Sequence, residues 1–481
     1  MRVRWSPAAL FLVGMVLGLG CSDRDAPESA DRSAVEATTV ADGVAVEAGV
    51  DDDRPAVATT FGSADGDEGA DATGIRGPGE LVDATEAFGI SQALIGIRGH
   101  AVAVADVNGD GWDDLFVGTF ADRDIETYAE RGADGPAEDR LLLGSERGFF
   151  LDESFEGRLG RTAGAAFADL DADGDEDLIV SRNSRPGERR DAPSEIYRND
   201  GGTLVPATVL DERGGGRAIG IVDFDRDGDE DIVQVKDRWS GPGTTLFRND
   251  GDLIFTDVTR ELGFPEDVFG LGVGIGDLDG DGIHDLVVGG SNRWFLGDGS
   301  SFVEGQTSPL PWALHGDEDD PAHVLLADAN GDSVLDIYIG QHFNSTVDDG
   351  RPEPVRLYLN ELSATGRLGF TDVTDTVGLP SLATKSPQIL LVDLDGAGQH
   401  DLITSATYLA ADGLRRPIVA NGGEANDGLP GFASNDPVAD AHYWIDGVVL
   451  DANRDGRQDV FFVEWEPALS ARLFLNLPVD P

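Results

Sequence analysis

One cysteine stands in 481 residues, so no disulfide can form within the chain. Basic residues are scarce too: 35 Lys and Arg against 91 Asp and Glu give a formal charge of −56. That balance argues against a nucleic-acid partner, whose phosphates would be repelled. The 7 histidines are scattered and form no His/Cys metal cluster. No nucleophile motif, no phosphate-cradling loop and no helical period is visible. The longest apolar run, Ala8 to Gly20, falls short of the roughly 20 residues a spanning helix needs. Apolar residues still make up 40%, enough for a core, so the acidity does not mean global disorder.

The apolar run follows Arg2 and Arg4, and with that basic start residues 1–20 read as a secretory signal. The lone Cys21 comes directly after Val16-Leu17-Gly18-Leu19-Gly20. This resembles a bacterial lipobox, in which such a cysteine is lipidated and becomes the mature N-terminus. Gly18 stands where that motif prefers Leu, and the alternative is ordinary cleavage beside a coincidental cysteine. Residues 21–79 are rich in Ala, Asp, Glu, Gly and Thr, without period, and read as a disordered acidic tether. Such a coil would reach about 40 Å. The expected placement is the bacterial cell envelope, held by the lipid anchor alone, with secretion as the alternative.

What the chain has in abundance is one motif, D-x-[DN]-x-D-G-x-x-D. Its starts lie at Asp106, Asp169, Asp223, Asp277, Asp328, Asp393 and Asp451, separated by 63, 54, 54, 51, 65 and 58 residues. A period of this size indicates a repeat architecture over residues 80–481. An alternating strand enters each loop (Ala101–Ala105, Ala218–Val222) and a second leaves it (Leu115–Val117, Leu178–Val180). A third follows after a variable connection (Leu141–Leu143, Leu246–Phe247), and Asn199-Asp-Gly201 or Asn249-Asp-Gly251 turns the chain into a fourth. Four antiparallel strands per unit predict an all-β fold, a seven-bladed β-propeller. The rival, a solenoid, would need capping units, and none is visible. Leu81-Val-Asp-Ala-Thr85 matches the fourth strands Phe255-Thr-Asp-Val-Thr259 and Phe370-Thr-Asp-Val-Thr374. It is expected to complete the last blade and close the ring.

Aspartates at alternate positions of a tight loop aim several oxygens inward, and hard oxygen ligands in this number suit Ca2+. The expected ligands are Asp106, Asn108, Asp110 and Asp114; Asp169, Asp171, Asp173 and Asp177; Asp223, Asp225, Asp227 and Asp231. They continue with Asp277, Asp279, Asp281 and Asp285; Asp328, Asn330, Asp332 and Asp336; and Asp451, Asn453, Asp455 and Asp459. Gly at position 6 allows the sharp turn, except that Ser333 replaces it in the fifth copy. The sixth copy, Asp393 to Asp401, has Ala397 at position 5, so metal there is expected to be weak or absent. Five to seven ions are expected, serving as structure. An isolated Asp-Gly turn would be merely a good hairpin turn; seven in register call for more.

These units resemble the FG-GAP/VCBS repeats of integrin α-subunit heads and bacterial surface proteins. Phe167-Ala-Asp-Leu-Asp-Ala-Asp-Gly174 and Phe255-Thr-Asp-Val-Thr259 are similar to the cartilage acidic protein/ASPIC-like group. The resemblance spans about residues 80–481, without the ASPIC/UnbV module many members carry. It implies the propeller and Ca2+, and adhesion only by analogy.

The loops between second and third strands should lie on the face opposite the metal loops, where long connections on a rigid scaffold serve recognition. Arg182, Arg185, Arg189 and Arg190, with Lys236, Arg238, Trp239 and His342, mark a candidate ligand face for an acidic glycan or a carboxylate-rich protein. The plainer reading pairs these cations with neighbouring acids such as Glu188, Asp191 and Asp237. The sequence therefore points to a monomeric, non-catalytic binding or adhesion scaffold at the cell surface. The alternative is an extracellular polysaccharide lyase or hydrolase with its site in the propeller channel.

Overall fold

The structure is a computed structural model. It describes residues 79–478, apart from 124, 184–191, 213, 238–242, 307, 309, 311–319, 343–352, 380, 383–388, 395–399, 405–417, 425–429, 436–443 and 465–470. The expected signal segment, Cys21 and the tether lie outside the described residues.

Short strands rich in Val, Ile, Leu and Ala, cut by Gly- and Asp-bearing turns, bury themselves by hairpin pairing and then by stacking sheet on sheet. Sheet A runs Gly99–Ala105, Asp114–Thr119, Arg140–Leu143 and Phe150–Leu151. Sheet B runs Thr162–Ala168, Asp177–Arg182, Ser194–Asn199 and Leu204–Asp211. Sheet C comprises Gly216–Val222, Asp231–Lys236, Thr245–Asn249 and Phe255–Asp257, and sheet D Gly270–Gly276, Asp285–Gly290, Arg293–Gly297 and Phe302–Glu304. Sheet E holds Asp320–Ala327, Asp336–His342, Arg356–Asn360 and Phe370–Asp372. Sheet G holds Trp444–Leu450, Asp459–Glu464 and Ala471–Pro478, with Gly79–Asp83 on its outer edge. The protein is thus an all-β propeller of four-stranded antiparallel blades.

Seven blades are expected from the motif count, and these six have side chains described in every strand. The difference falls on sheet F, Ile389–Val392, Asp401–Thr404, Ile418–Glu424 and Pro430–Asn435. Its four strands pair antiparallel, but side chains are described only in the first two. A two-stranded ribbon, Glu353–Pro354 with Ser381–Leu382, stands beside the sheets. The expectation of no helix needs a small correction. Single helical turns occur at Ile90–Ala93, Ile125–Ala129, Leu362–Thr365 and Thr374–Val377, all in connections. None is long and apolar enough to cross a membrane.

The core is divided among the gaps between sheets. Ala103, Phe116 and Leu141 of A meet Ala165, Leu178 and Tyr197 of B. Val222, Val233 and Leu246 of C meet Val273, Leu286 and Phe295 of D. Leu390, Val392 and Ile403 of F meet Trp444, Val460 and Phe474 of G. Each such large side chain contributes about 1.5–3 kcal/mol on full burial. First strands are innermost, and those of sheets A to D, buried on both faces, are built largely of Gly, Ala and Val. A Cβ on Gly220 would lie 2.4 Å from Cδ1 of Ile275 in the next sheet.

The expected seam is present. Gly79–Asp83 pairs antiparallel with Ala471–Pro478, Leu81 opposite Asn476. Arg472 pairs with Asp83 at 2.7 Å, and the N–H of Leu473 donates to Oγ1 of Thr85 at 3.0 Å. Buried Asp446 of G accepts from the N–H of Val102 of A at 2.9 Å, joining the last first-strand to the first.

Candidate metal loops and the opposite face

Each metal loop joins the first strand of its sheet to the second, so the loops share one face. Their aspartates first organise the backbone. In sheet A the N–H groups of Asp110 and Gly111 donate to the two oxygens of Asp106, at 3.0 and 2.7 Å. The same pair of bonds recurs at Asp169, Asp223, Asp277, Asp328 and Asp451. Position 5 then accepts from the N–H of position 7, as in Asp110 from Trp112 and Asp281 from Ile283. At position 3, Asn108, Asn330 and Asn453 accept from the N–H of position 5.

Position 9 is the deepest. Asp114, Asp177, Asp231, Asp285, Asp336 and Asp459 are buried, and each accepts two backbone hydrogen bonds. One comes from position 2 of its own loop and the other from the end of the third strand. Asp231, for example, accepts from Phe224 at 3.0 Å and Asn249 at 2.8 Å. Burial nevertheless pushes these carboxyls up, to about 7 at Asp114, Asp177, Asp285, Asp336 and Asp459 and to about 8 at Asp231. Neighbouring aspartates add to the rise, while the backbone N–H groups oppose it. Position 3 carboxyls Asp171, Asp225 and Asp279 are raised as well, by burial first and then by neighbouring aspartates.

The donor set fits a hard cation. Asp169, Asp171 and Asp173 bring oxygens within 4.8 Å of one another, as do Asp223, Asp225 and Asp231, and Asp277, Asp279 and Asp285. Oδ1 of Asp171 and Oδ1 of Asp225 are buried without a hydrogen-bond partner. A buried, unpaired carboxylate oxygen is costly, and a divalent ion among these oxygens would relieve it. Loops A, E and G carry Asn at position 3, which softens the crowding of like charges.

Two features of the loops were not read from the sequence. Position 4 is left-handed in all six described copies: Gly109, Ala172, Arg226, Gly280, Gly331 and Arg454 have φ between 56° and 77°. Its occupants share no residue type, so no pattern announces it. Ser333, which replaces the expected Gly at position 6, still adopts φ 66°. The second feature is a clip between blades. Asn199, Asn249, Asn360 and Asn476 sit buried at the third-strand ends. Each donates its side-chain N–H to the position-2 carbonyl of the preceding sheet: Val107, Leu170, Leu278 and Leu394, at 2.7–3.0 Å. Position 8 also reaches backward. Asp113 accepts from the N–H of Asp451 and Gln458 from that of Asp393, at 2.9 and 2.7 Å. In the sixth copy Asp393 and Asp401 are described, but Asp395 and Ala397 are not.

The candidate ligand face needs correction at two positions. Arg182 is fully buried, 2.8 Å from Asp139 and 2.7 Å from Glu195. Lys236 is fully buried against Asp211. The plainer reading holds for these two, although their partners are Asp139, Glu195 and Asp211. Arg185, Arg189, Arg190, Arg238 and Trp239 lie outside the described residues. His342 ends the second strand of sheet E, and its side chain is not described.

Similarity to known families follows the repeats. The family described as FG-GAP-like repeat matches residues 169–234, and FG-GAP repeat matches residues 98–127. The chain carries FG-GAP repeats. Cartilage acidic protein 1 of Mus musculus is 24% identical over 401 residues, covering 76% of this chain and 57% of that protein. The chain thus spans little more than half the length of that curated relative. Among solved structures it is similar to a crystal structure of BBS1N in complex with ARL6DN soaked with lead. The TM-score is 0.45 at 13% identity, over 85% of this chain and 99% of that one. A mercury-soaked crystal of the same complex gives 0.45 at 14% identity, over 83% and 98%.

Proposed function

We propose that this FG-GAP propeller is a Ca2+-stabilised, non-catalytic binding scaffold, displayed outside the cell, for a glycan or protein partner. The carrying observation is the pair of buried, unpartnered oxygens on Asp171 and Asp225, set among further carboxylates. Repulsion among those carboxylates opposes the folded loop, and a bound divalent ion reverses the sign of that term. When bound, the ion supplies a structural cross-link within the hairpin. Asp171 and Asp225 would hold it through Oδ1, together with positions 1, 5 and 9. In this reading sheet F counts as a full blade, making seven. Its first strand lies against those of sheets E and G, which supports that count. Export and anchoring through Cys21 rest on the basic start and short apolar run, and the scaffold reading assigns no catalytic residue.

Recognition then belongs to the face opposite the metal loops. The test is binding of the purified chain to a glycan array and a panel of surface proteins, in 2 mM CaCl2 and again in EDTA, alongside metal content by mass spectrometry. Saturable binding in calcium that is lost in EDTA, with several Ca2+ per chain, is the expected outcome. A protein that retains no calcium, or that binds equally well without it, removes the reading.

A further inference from the structure

The recognition face has a built recess at the base of sheet C. It forms where the third strand begins, the fourth ends, and the chain crosses to sheet D. Its cavity volume is about 210 Å3. That far exceeds the ~10–15 Å3 that one water needs, yet lies below the ~300 Å3 of drug-sized pockets. It therefore suits one small unit. The back wall is Gly243 and Thr244, whose N–H groups donate to the carbonyls of Glu266 and Val268 at 3.3 and 2.8 Å. A Cβ on Gly243 would lie 2.5 Å from the carbonyl oxygen of Glu266, so the close approach needs glycine. Thr259 is fixed, accepting from Leu246 at 2.9 Å and donating to Asp257 at 2.7 Å. At the rim, Arg260 and Glu266 form an exposed pair at 2.6 Å. Such a pair is weak enough to re-form around a ligand.

Comparison between blades shows why the recess is here. Thr245 opposes Gln234 at the start of the third strand. The same register position holds Arg140 in sheet A, Arg293 in D, Arg356 in E and Arg472 in G. Arg356 reaches Asp372 at 2.6 Å, and Arg472 reaches Asp83 at 2.7 Å. Asp372 and Asp83 are the counterparts of Asp257, because Thr374 and Thr85 accept from Leu357 and Leu473 as Thr259 does from Leu246. Sheet C places the short Thr245 where sheets E and G place the long arginine.

Among the described residues the lining has no apolar side chain. Its floor is three buried threonines, and its exposed groups are two carboxylates and one guanidinium. The hydroxyl of Thr244, a residue 1% exposed, has no hydrogen-bond partner. Mixed donors and acceptors match a ligand whose groups do both, and two carboxylates against one arginine disfavour an anion. Resting on the scaffold reading, we infer that this recess binds one neutral sugar unit of a glycan.

The test is saturation-transfer NMR with free galactose, mannose, N-acetylglucosamine and glucuronic acid, in calcium, on the wild-type chain, Thr245→Arg and Thr244→Val. At least one neutral sugar should receive saturation from the wild type, and glucuronic acid less. Thr245→Arg should reduce affinity at least tenfold with an unchanged melting temperature, since it restores the arrangement of sheets E and G. If that variant melts early, Thr244→Val decides: weaker sugar binding supports the inference and unchanged binding overturns it. Absence of any neutral-sugar signal with the wild type, a preference for glucuronic acid, or full binding by a well-folded Thr245→Arg also overturns it. Array binding that survives in Thr245→Arg sinks the recess while leaving the scaffold standing. A wild type that binds neither array nor sugar sinks both.

Discussion

The two faces of the propeller are built by opposite strategies. On the metal-loop face one solution is repeated: Asp at position 1 holds the N–H groups of positions 5 and 6, and Asp at position 9 ties loop to third strand. On the other face the solution varies among blades. Sheet B uses Arg182 between Asp139 and Glu195, sheet C buries Lys236 on Asp211, and sheets E and G pair Arg356 with Asp372 and Arg472 with Asp83. The repeated face gathers carboxylates, with one buried at position 9 of each of the six described loops. On the varied face Arg182, Lys236, Arg356 and Arg472 each meet a carboxylate from their own protein.

Removing metal should separate the faces most sharply. At 100-fold excess over its dissociation constant an ion contributes about 2.7 kcal/mol per site. Stripping several ions should then lower the melting temperature by on the order of 10 °C, read by calorimetry in EDTA and after adding calcium back. The same material should show an inverted pH response. The position-9 carboxyls have folded values raised to about 7 or 8. Their contribution without metal is complete below their unfolded value near 4 and is lost as pH rises through 7 to 8. EDTA-treated protein should weaken between pH 5 and 8, whereas calcium-loaded protein should strengthen as protons cease to compete for the ligands.

On the varied face, Arg182→Met leaves Asp139 and Glu195 buried without their shared cation. A loss of about 3–5 kcal/mol in urea unfolding, unaffected by calcium, is expected. A calcium-dependent loss would mean that the faces are coupled. Asn249→Ala removes one clip to Leu170 and should cost about 1–3 kcal/mol, more than the same change at an exposed asparagine. Smallest is Ser333→Gly, which relieves a left-handed serine and should stabilise by roughly 0.5 kcal/mol. Destabilisation there would mean that the Ser333 side chain contributes more than its strain.

The contrast also explains what could be read in advance. A register of aspartates at fixed spacing is visible in one dimension, so the blade pattern, the loops and the seam strand were legible. Position 4 was not, because Gly, Ala and Arg all meet the same left-handed demand. Asn199 and Asn249 read as turn residues, which they are. Their side chains, however, cross to Val107 and Leu170, 92 and 79 residues away, and no local pattern encodes that. Arg182 and Lys236 end their strands beside long connections and so looked like loop cations. Only the arrival of Asp139, Glu195 and Asp211 shows that they are interior.

The seam strand carries a final consequence. Gly79–Asp83 sits at an outer edge and is joined to the rest of its sheet by noncovalent pairing with Ala471–Pro478. Another copy's strand has the same sequence and fits the same edge. At high concentration or after partial unfolding, chains can therefore trade this segment and link head to tail into dimers or open strings. Size-exclusion profiles that shift after mild denaturant and recover on dilution would record the exchange.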